Sequence, residues 1–468
     1  MNGWTVDRRD AGRVVAVGAI VAACSVLRPL RDEQAIRCGT ELVTLLFAAT
    51  FAALVIVTAA VAAAGRRFRS GSVARFTMAG LASLALVTAW MGASMDGPSP
   101  AGAALVVSHG VLNIVGAAMA WQMVIERTGG PGRSRAIAAA TIGAGIGSIV
   151  GPLMATVLVD VAGPGSMVPV AAALFASAIR GATGRGRLAA NNGQGSGSSR
   201  PVEVRAPVRT GVRRVGVLVA GWSAVSTVVY FLQVGMVGEQ VADPRARVAW
   251  FASIDLASNA VALLVQLGIA GLTSRREGLS VTLAIGPLFA AGGFTALWLW
   301  PDVGVLAAIT IIGRAGGTAL FRPGRELLLA SCNRPVSPHV RCAIDGVVYR
   351  AADAATAASI GVLSSGAPTV GMLAFTGTAT ALTLAIAGFH TGRIYENETH
   401  VITSDIAPRI REASGRHGID DGLSSGTRSR GDGLDHATHC FDRREDSDRR
   451  ARHLADFRRR ARRNCGRS

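Results

Sequence analysis

Residues 39–64 read GTELVTLLFAATFAALVIVTAAVAAA, preceded by Arg31-Asp32-Glu33 and Arg37 and followed by Arg66-Arg67-Phe68-Arg69. After Glu41 no ionisable side chain occurs until Arg66. As a helix, such a stretch is long enough to cross the hydrocarbon core of a bilayer, roughly 30 Å thick. No water is present there to satisfy the backbone, so a run of this kind bonds its own amides and spans as a helix. Working outward, comparable runs lie near 14–33, 74–94, 101–125, 135–160 and 165–181, then near 215–236, 248–272, 278–300, 303–323, 343–365 and 369–390. The whole chain of 468 residues is 50% hydrophobic and 17% charged, too little charge to cover a soluble surface of that size. Alanine, glycine, valine and leucine dominate the runs, and small side chains let helices approach closely in lipid. The expected fold class is therefore an all-α polytopic membrane protein of about twelve transmembrane helices.

The runs divide into two sets of six. Residues 1–182 form an N-terminal half, 183–214 a linker containing NNGQGSGSSRP, 215–392 a C-terminal half, and 393–468 a tail dense in arginine and aspartate. The composition of the linker predicts a flexible polar connection, and that of the tail predicts disorder. The formal net charge is +18, and with no lysine in the chain every basic residue in that balance is arginine. Arg8, Arg9 and Arg13 precede the first run, Arg66, Arg67, Arg69 and Arg75 follow the second, and Arg127, Arg133 and Arg135 follow the fourth. The loops near Asp96, Pro164, Asp302 and Ala367 carry no arginine. Alternation of this kind places both termini and the linker in the cytoplasm, with the bilayer of a bacterial inner membrane as the first partner. It also removes the need for a nucleic-acid partner to explain the charge. Six cysteines are scattered without CxxC spacing, and His436, His439 and Cys440 stand without a second pair of ligands, so neither a metal nor another cofactor is expected. No nucleophile–base set or phosphate loop points to an enzyme.

Ionisable side chains at membrane depth are costly and tend to face a cavity, a partner or a pathway. Arg28-Pro29-Leu30-Arg31-Asp32-Glu33 closes the first run, with Arg28, Arg31 and Asp32 at i, i+3 and i+4 on one helical face. Arg322-Pro323-Gly324-Arg325-Glu326, at the end of the tenth, repeats its Arg-Pro-x-Arg-acidic pattern. Two guanidinium pairs guarding a cavity from opposite ends suit capture of a multiply charged anion, with Asp32 and Glu326 as exchangeable partners. Pairing of each arginine with its acidic neighbour, as an anchor at a helix end, fits the same residues. Asp345, Tyr349 and Asp353 follow at four-residue spacing with Arg350 beside them, Asp255 and Asn259 form a similar pair in the eighth run, and Arg314 sits within the tenth. These carboxylates are candidates for coupling a proton or, more economically, for buried pairing with Arg314 or Arg350. His109, Asn113 and Gln122 in the fourth run are polar enough to face a cavity. Gly143, Gly147 and Gly151 repeat at four-residue spacing, the signature of a close helix contact.

Several segments resemble bacterial members of the ATP/ADP translocase (nucleotide transporter) family. They are RPLRDE in the first run, SHGVLNIV in the fourth, RSRAIAAATIGAGIGSIVGP entering the fifth, ARVAWFASIDLASNAVALLVQL entering the eighth, and FRPGRELLLASCNRPVSPHVRCAIDGVVYRAADA across the tenth and eleventh. The resemblance implies a major-facilitator-like fold and a secondary transporter that exchanges nucleotides or related organic anions. It matches Arg31 and Arg325 to two lysines that bear on substrate binding in that family, while the nearest match to an acidic residue of its seventh helix is the uncharged Gln233. The reading from another class is a non-transporting scaffold or accessory subunit that retains the fold and recruits partners through its tail.

Overall fold

The computed structural model describes residues 8–68, 70–93, 97–126, 133–183, 206–269, 278–330, 343–363 and 369–417. Among them every regular element is helical. Residues 1–401 form one compact unit and residues 402–468 a second.

Nine stretches among the described residues are long and apolar enough to cross a membrane. The first, Val14–Arg67, contains two crossings. Gly39 sits at its middle with φ 77° and ψ 161°, a backbone state a side chain would strain, and it separates α1 (residues 8–38) from α2 (residues 40–67). Two further crossings escape a hydropathy criterion: the short apolar Pro164–Ile179, and residues 343–363 with Asp345, Arg350 and Asp353. The remaining helices are α3 (Ser70–Ala93), α4 (residues 100–126), α5 (Arg133–Ala162), α6 (Met167–Thr183), α7 (residues 206–240), α8 (Pro244–Ile269), α9 (Leu279–Leu299), α10 (residues 303–330), α11 (residues 343–363) and α12 (Val370–His417). The expected twelve crossings are thus present in the expected order.

Three ends move. α1 runs on to residue 38, so the Arg28–Glu33 turn, with an apolar stretch before it too short to cross alone, lies inside a helix with Pro29 in mid-helix. α10 runs to Ala330, which likewise places Arg322–Glu326 inside. α12 continues to His417, past the expected start of the tail at 393. The polar linker at 184–205 and positions 418–468 lie outside the described residues, as do His436, His439 and Cys440.

Short turns join α1 to α2, α3 to α4, α5 to α6, α7 to α8 and α9 to α10, all at one end of the bundle, called here the turn end. Their sequences explain the sharp stops. Ser99 accepts the amide of Gly102 at 3.0 Å with Pro100 as first helical residue, and Asp302 accepts Gly304 N at 2.7 Å to start α10. Asp243 accepts the amides of Arg245 and Ala246, both at 3.1 Å, with Pro244 opening α8. These side chains satisfy amides that a helix start leaves without partners.

α5 shows why a membrane is required. Ile142, Ile146, Val150, Leu153, Val157 and Val161 form an exposed apolar stripe along one side, far larger than a soluble monomer leaves to water. The other side carries Gly143, Gly147 and Gly151 against α1, where a Cβ on Gly147 would stand 3.0 Å from Gly18 Cα and closer still to its carbonyl oxygen. The glycines let the two backbones touch, which in lipid is the main source of attraction between helices.

Candidate functional site

The central helices are not regular. α4 loosens into a π-helical turn at Leu112–Gly116, α7 at Gln233–Val237, α10 at Gly317–Phe321 and α11 at Ala343–Val348. Wide turns of this kind free backbone groups and gather at functional sites. Polar residues sit in or beside each of them. Asn113 is half-buried in the first, Gln233 in the second donates to Thr310 Oγ1 of α10 at 2.9 Å, Arg322 follows the third, and Asp345 lies in the fourth.

Around these turns the ionisable residues assemble into four groups. In the first, Asp255 of α8 is 2% exposed and holds two guanidiniums at once: Arg28 of α1, with Nη1 3.3 Å from Oδ2, and Arg314 of α10 on Oδ1. The bridge spans both halves of the chain. Asn259, one turn further along α8, donates to the Asp255 carbonyl at 2.9 Å and to the Ser148 carbonyl of α5 at 2.7 Å, which anchors that turn to the N-terminal half. In the second group Arg31 donates through Nε to Asp32 Oδ1 at 2.8 Å, and the Tyr230 hydroxyl of α7 donates to the same oxygen at 3.3 Å. The Arg31 guanidinium also lies 5.8 Å from the centre of the Tyr230 ring, within cation–π range. In the third group, Arg350 donates to Asp353 Oδ2 at 2.9 Å, while Thr227 donates to Asp353 Oδ1 at 2.9 Å and Ser223 bonds the same oxygen. The fourth lies further from the turn end, where Arg325 pairs with Asp345 at 2.6 Å across α10 and α11. Arg322 is exposed and has no carboxylate partner among the described residues.

His109 is fully buried on α4, its Nε2 donating to the Cys24 carbonyl of α1 at 2.9 Å, and Nδ1 has no partner among the described residues. It is therefore a strut between α1 and α4 rather than a wall of an open cavity. The side chain of Gln122 lies outside the described residues. Of the two pairing schemes open from sequence, only Arg31 uses its own acidic neighbour; Arg28 and Arg325 reach carboxylates on other helices. Burial makes such pairing necessary, since an unpartnered charge at this depth costs several kcal/mol.

Several members of the site carried no sequence signal. Tyr230, Ser223 and Thr227 are ordinary residues of an apolar helix until the fold sets them beside Asp32 and Asp353. Glu33 is fully buried and receives Arg37 at 2.9 Å and Arg247 at 3.6 Å. Arg247 also donates to the Val241 carbonyl at 2.6 Å, and its neighbour Arg245 donates to the Val159 and Asp160 carbonyls of α5 at 2.8 and 2.6 Å. The start of α8 thus ties the end of α7 to α1 and α5.

Apolar contact between the halves is found at the same end, as well as deeper, where Ile114 of α4 faces Gly346 of α11. Ala35, Ile36 and Val43 belong to the core of the C-terminal half, with Phe47 stacked on Phe231 at 6.0 Å. Val248 and Ala252 belong to the core of the N-terminal half. Apart from that deeper contact, all of these lie close to the α1–α2 and α7–α8 turns, so the bundle is sealed at the turn end.

No family model matches the sequence, and no curated protein matches it. Solved structures do. The nucleoside transporter NupG aligns at 12% identity with a TM-score of 0.55, covering 82% of this chain and 99% of that one. A POT family transporter in complex with 5-aminolevulinic acid aligns at 12% identity and TM-score 0.52, covering 82% and 95%. A bacterial metal transporter aligns at 12% and 0.52, covering 83% and 99%. Identities this low carry the architecture alone: the chain shares the overall helical fold of these transporters.

Proposed function

We propose that the chain is a secondary active transporter that carries an organic anion across the bacterial cytoplasmic membrane by alternating access, with both termini in the cytoplasm. The observation that supports this most is the bridge Arg28–Asp255–Arg314, in which guanidiniums from the two halves converge on one buried carboxylate. An anion with two or more acceptor oxygens fits between the same forks, because guanidinium geometry matches carboxylate and phosphate oxygens in pairs. Such an anion draws the two halves together, which is what closure around a cargo requires. Arg31 and Arg325, the positions matched to substrate-binding lysines in the nucleotide transporter family, lie nearer the turn end and nearer the opposite end, and act as successive contacts along the path. Asp32, Asp345, Arg350 and Asp353 hold or release these contacts as the halves move, and Arg322 extends the basic approach on α10, with Glu326 as an exchangeable acidic partner. With the termini cytoplasmic, the sealed turn end faces outward, so this conformation is closed to the outside.

Nucleotides are the first cargo to test, on the strength of the segments quoted above. Uptake of labelled ATP, ADP, inorganic phosphate and uncharged nucleosides into proteoliposomes tests the proposal. Saturable uptake of at least one anion, with nucleosides excluded, is the expected result. Uptake of nucleosides alone, or of none of the probes by folded protein, overturns it.

A further inference from the structure

Three features set Asp255 apart from the other carboxylates in the bundle. Arg31 and Arg350 find their carboxylates on their own helices, in Asp32 and Asp353, so neither pair bridges the two halves. Among the described residues, Asp255 and Glu33 are each shared by arginines from both halves, but Glu33 lies at the turn end with its arginines 17% and 15% exposed, whereas Asp255 lies deeper in the bundle. Its side chain is 2% exposed, whereas Arg28 and Arg314 are 26% and 32% exposed. Each guanidinium therefore keeps a free face for a second anion while the carboxylate stands behind both. Asn259 fixes the backbone at that position against α5, so Asp255 is held in place with or without cargo.

The charges decide what an unloaded carrier does. Without Asp255, two guanidiniums face each other across the line between the halves and repel in a medium of low dielectric. A carrier built that way closes only when a cargo anion lies between them, and it is then confined to exchanging one anion for another. Asp255 supplies an anion that never leaves. We infer that Asp255 is a resident counter-anion that lets the empty carrier close and return, so that the protein catalyses net movement of its anion rather than obligatory exchange. This inference rests on the transport reading above and specifies its mode. It also predicts competition: cargo must displace part of the Asp255 interaction, so removing the carboxylate charge tightens cargo binding while trapping the empty carrier.

The test uses full-length protein in proteoliposomes, with labelled ADP, ATP and inorganic phosphate as probes, each with and without the same unlabelled anion inside. Wild-type influx of a transported probe proceeds into empty vesicles, and internal anion stimulates it by no more than about threefold. In Asp255→Asn, influx into empty vesicles falls by about tenfold or more, internal anion restores most of it, and the half-saturating probe concentration drops. Asp255→Glu, which keeps the charge, keeps a stimulation ratio near that of wild type whatever its absolute rate. Wild-type influx that depends absolutely on internal anion overturns the inference while leaving transport standing. So does an Asp255→Asn variant whose stimulation ratio equals that of wild type. If Asp255→Asn does not fold, the wild-type ratio and Asp255→Glu still decide between the two modes. No movement of ADP, phosphate or ATP in either mode removes the transport reading and this inference together.

Discussion

Two glycines of α5, two residues apart, separate helix packing from helix propensity. Gly147 faces α1, where an added Cβ meets Gly18 Cα and its carbonyl carbon at 3.0 Å and the oxygen at less, all of it backbone that cannot rotate aside. Gly145 is exposed, and a Cβ there meets nothing within 4 Å. Replacing either by alanine brings the same gain in intrinsic helix stability, about 1 kcal/mol. The gain cancels in the comparison, and what remains is the cost of forcing α1 and α5 apart. Restoring ordinary contact at Gly147 needs a separation on the order of half an ångström to an ångström, enough to forfeit a quarter or more of each dispersion contact along the pair. Overpacking of this kind costs about 1–3 kcal/mol. Gly145→Ala is therefore expected to raise the thermal midpoint in detergent, measured by size-exclusion of heated samples, and Gly147→Ala to fall below it. Equal midpoints, or Gly147→Ala the more stable, would refute the claim that backbone contact between α1 and α5 holds the N-terminal half together.

Other consequences are more local. Glu33→Gln removes the carboxylate that holds both Arg37 and Arg247, so the turn end opens more often. In a background where Cys332, Cys342, Cys440 and Cys465 are serine, maleimide should label Cys38 severalfold faster, and an unchanged rate would show that the seal does not depend on Glu33. Glu396 of α12 accepts the amides of Gly278 and Ser280 at 3.1 and 2.9 Å, at the start of α9. Glu396→Ala should lower stability by about 0.5–2 kcal/mol, the usual worth of such a cap, as read by thermal unfolding. Arg31→Ala and Arg325→Ala should each abolish uptake while membrane insertion, read from fractionation, stays at the wild-type level.

The architecture was legible because lipid imposes one rule on every crossing, an apolar run of sufficient length. α5 illustrates it in full: its glycines, four residues apart, name the packed face, and the isoleucines and valines between them name the face turned to lipid. Where helices ended was less clear. By sequence the tenth run ends beside Arg322, whereas α10, like α1, carries its charges well inside because partners on other helices neutralise them. The candidate arginines were visible for the same reason that they are costly. Their partners were not, since the pairing of Arg28 with Asp255 joins residues 227 apart in sequence, and the role of Tyr230 depends on α7 lying against α1. Spacing along a single helix also misled: Asp345 and Asp353 share a face in a regular helix, but the π-helical turn at Ala343–Val348 shifts the phase, leaving Asp345 47% exposed and Asp353 buried.

The central claim is that an anion passes between arginines of the two halves. Its most direct test is uptake of labelled ADP and inorganic phosphate by Arg28→Gln and Arg314→Gln in proteoliposomes, beside Arg66→Gln, whose side chain is exposed at the far end of α2. The account predicts that both central variants, folded and reconstituted to the wild-type level, lose uptake to background while Arg66→Gln retains it. Uptake by Arg28→Gln and Arg314→Gln at the wild-type rate would contradict it.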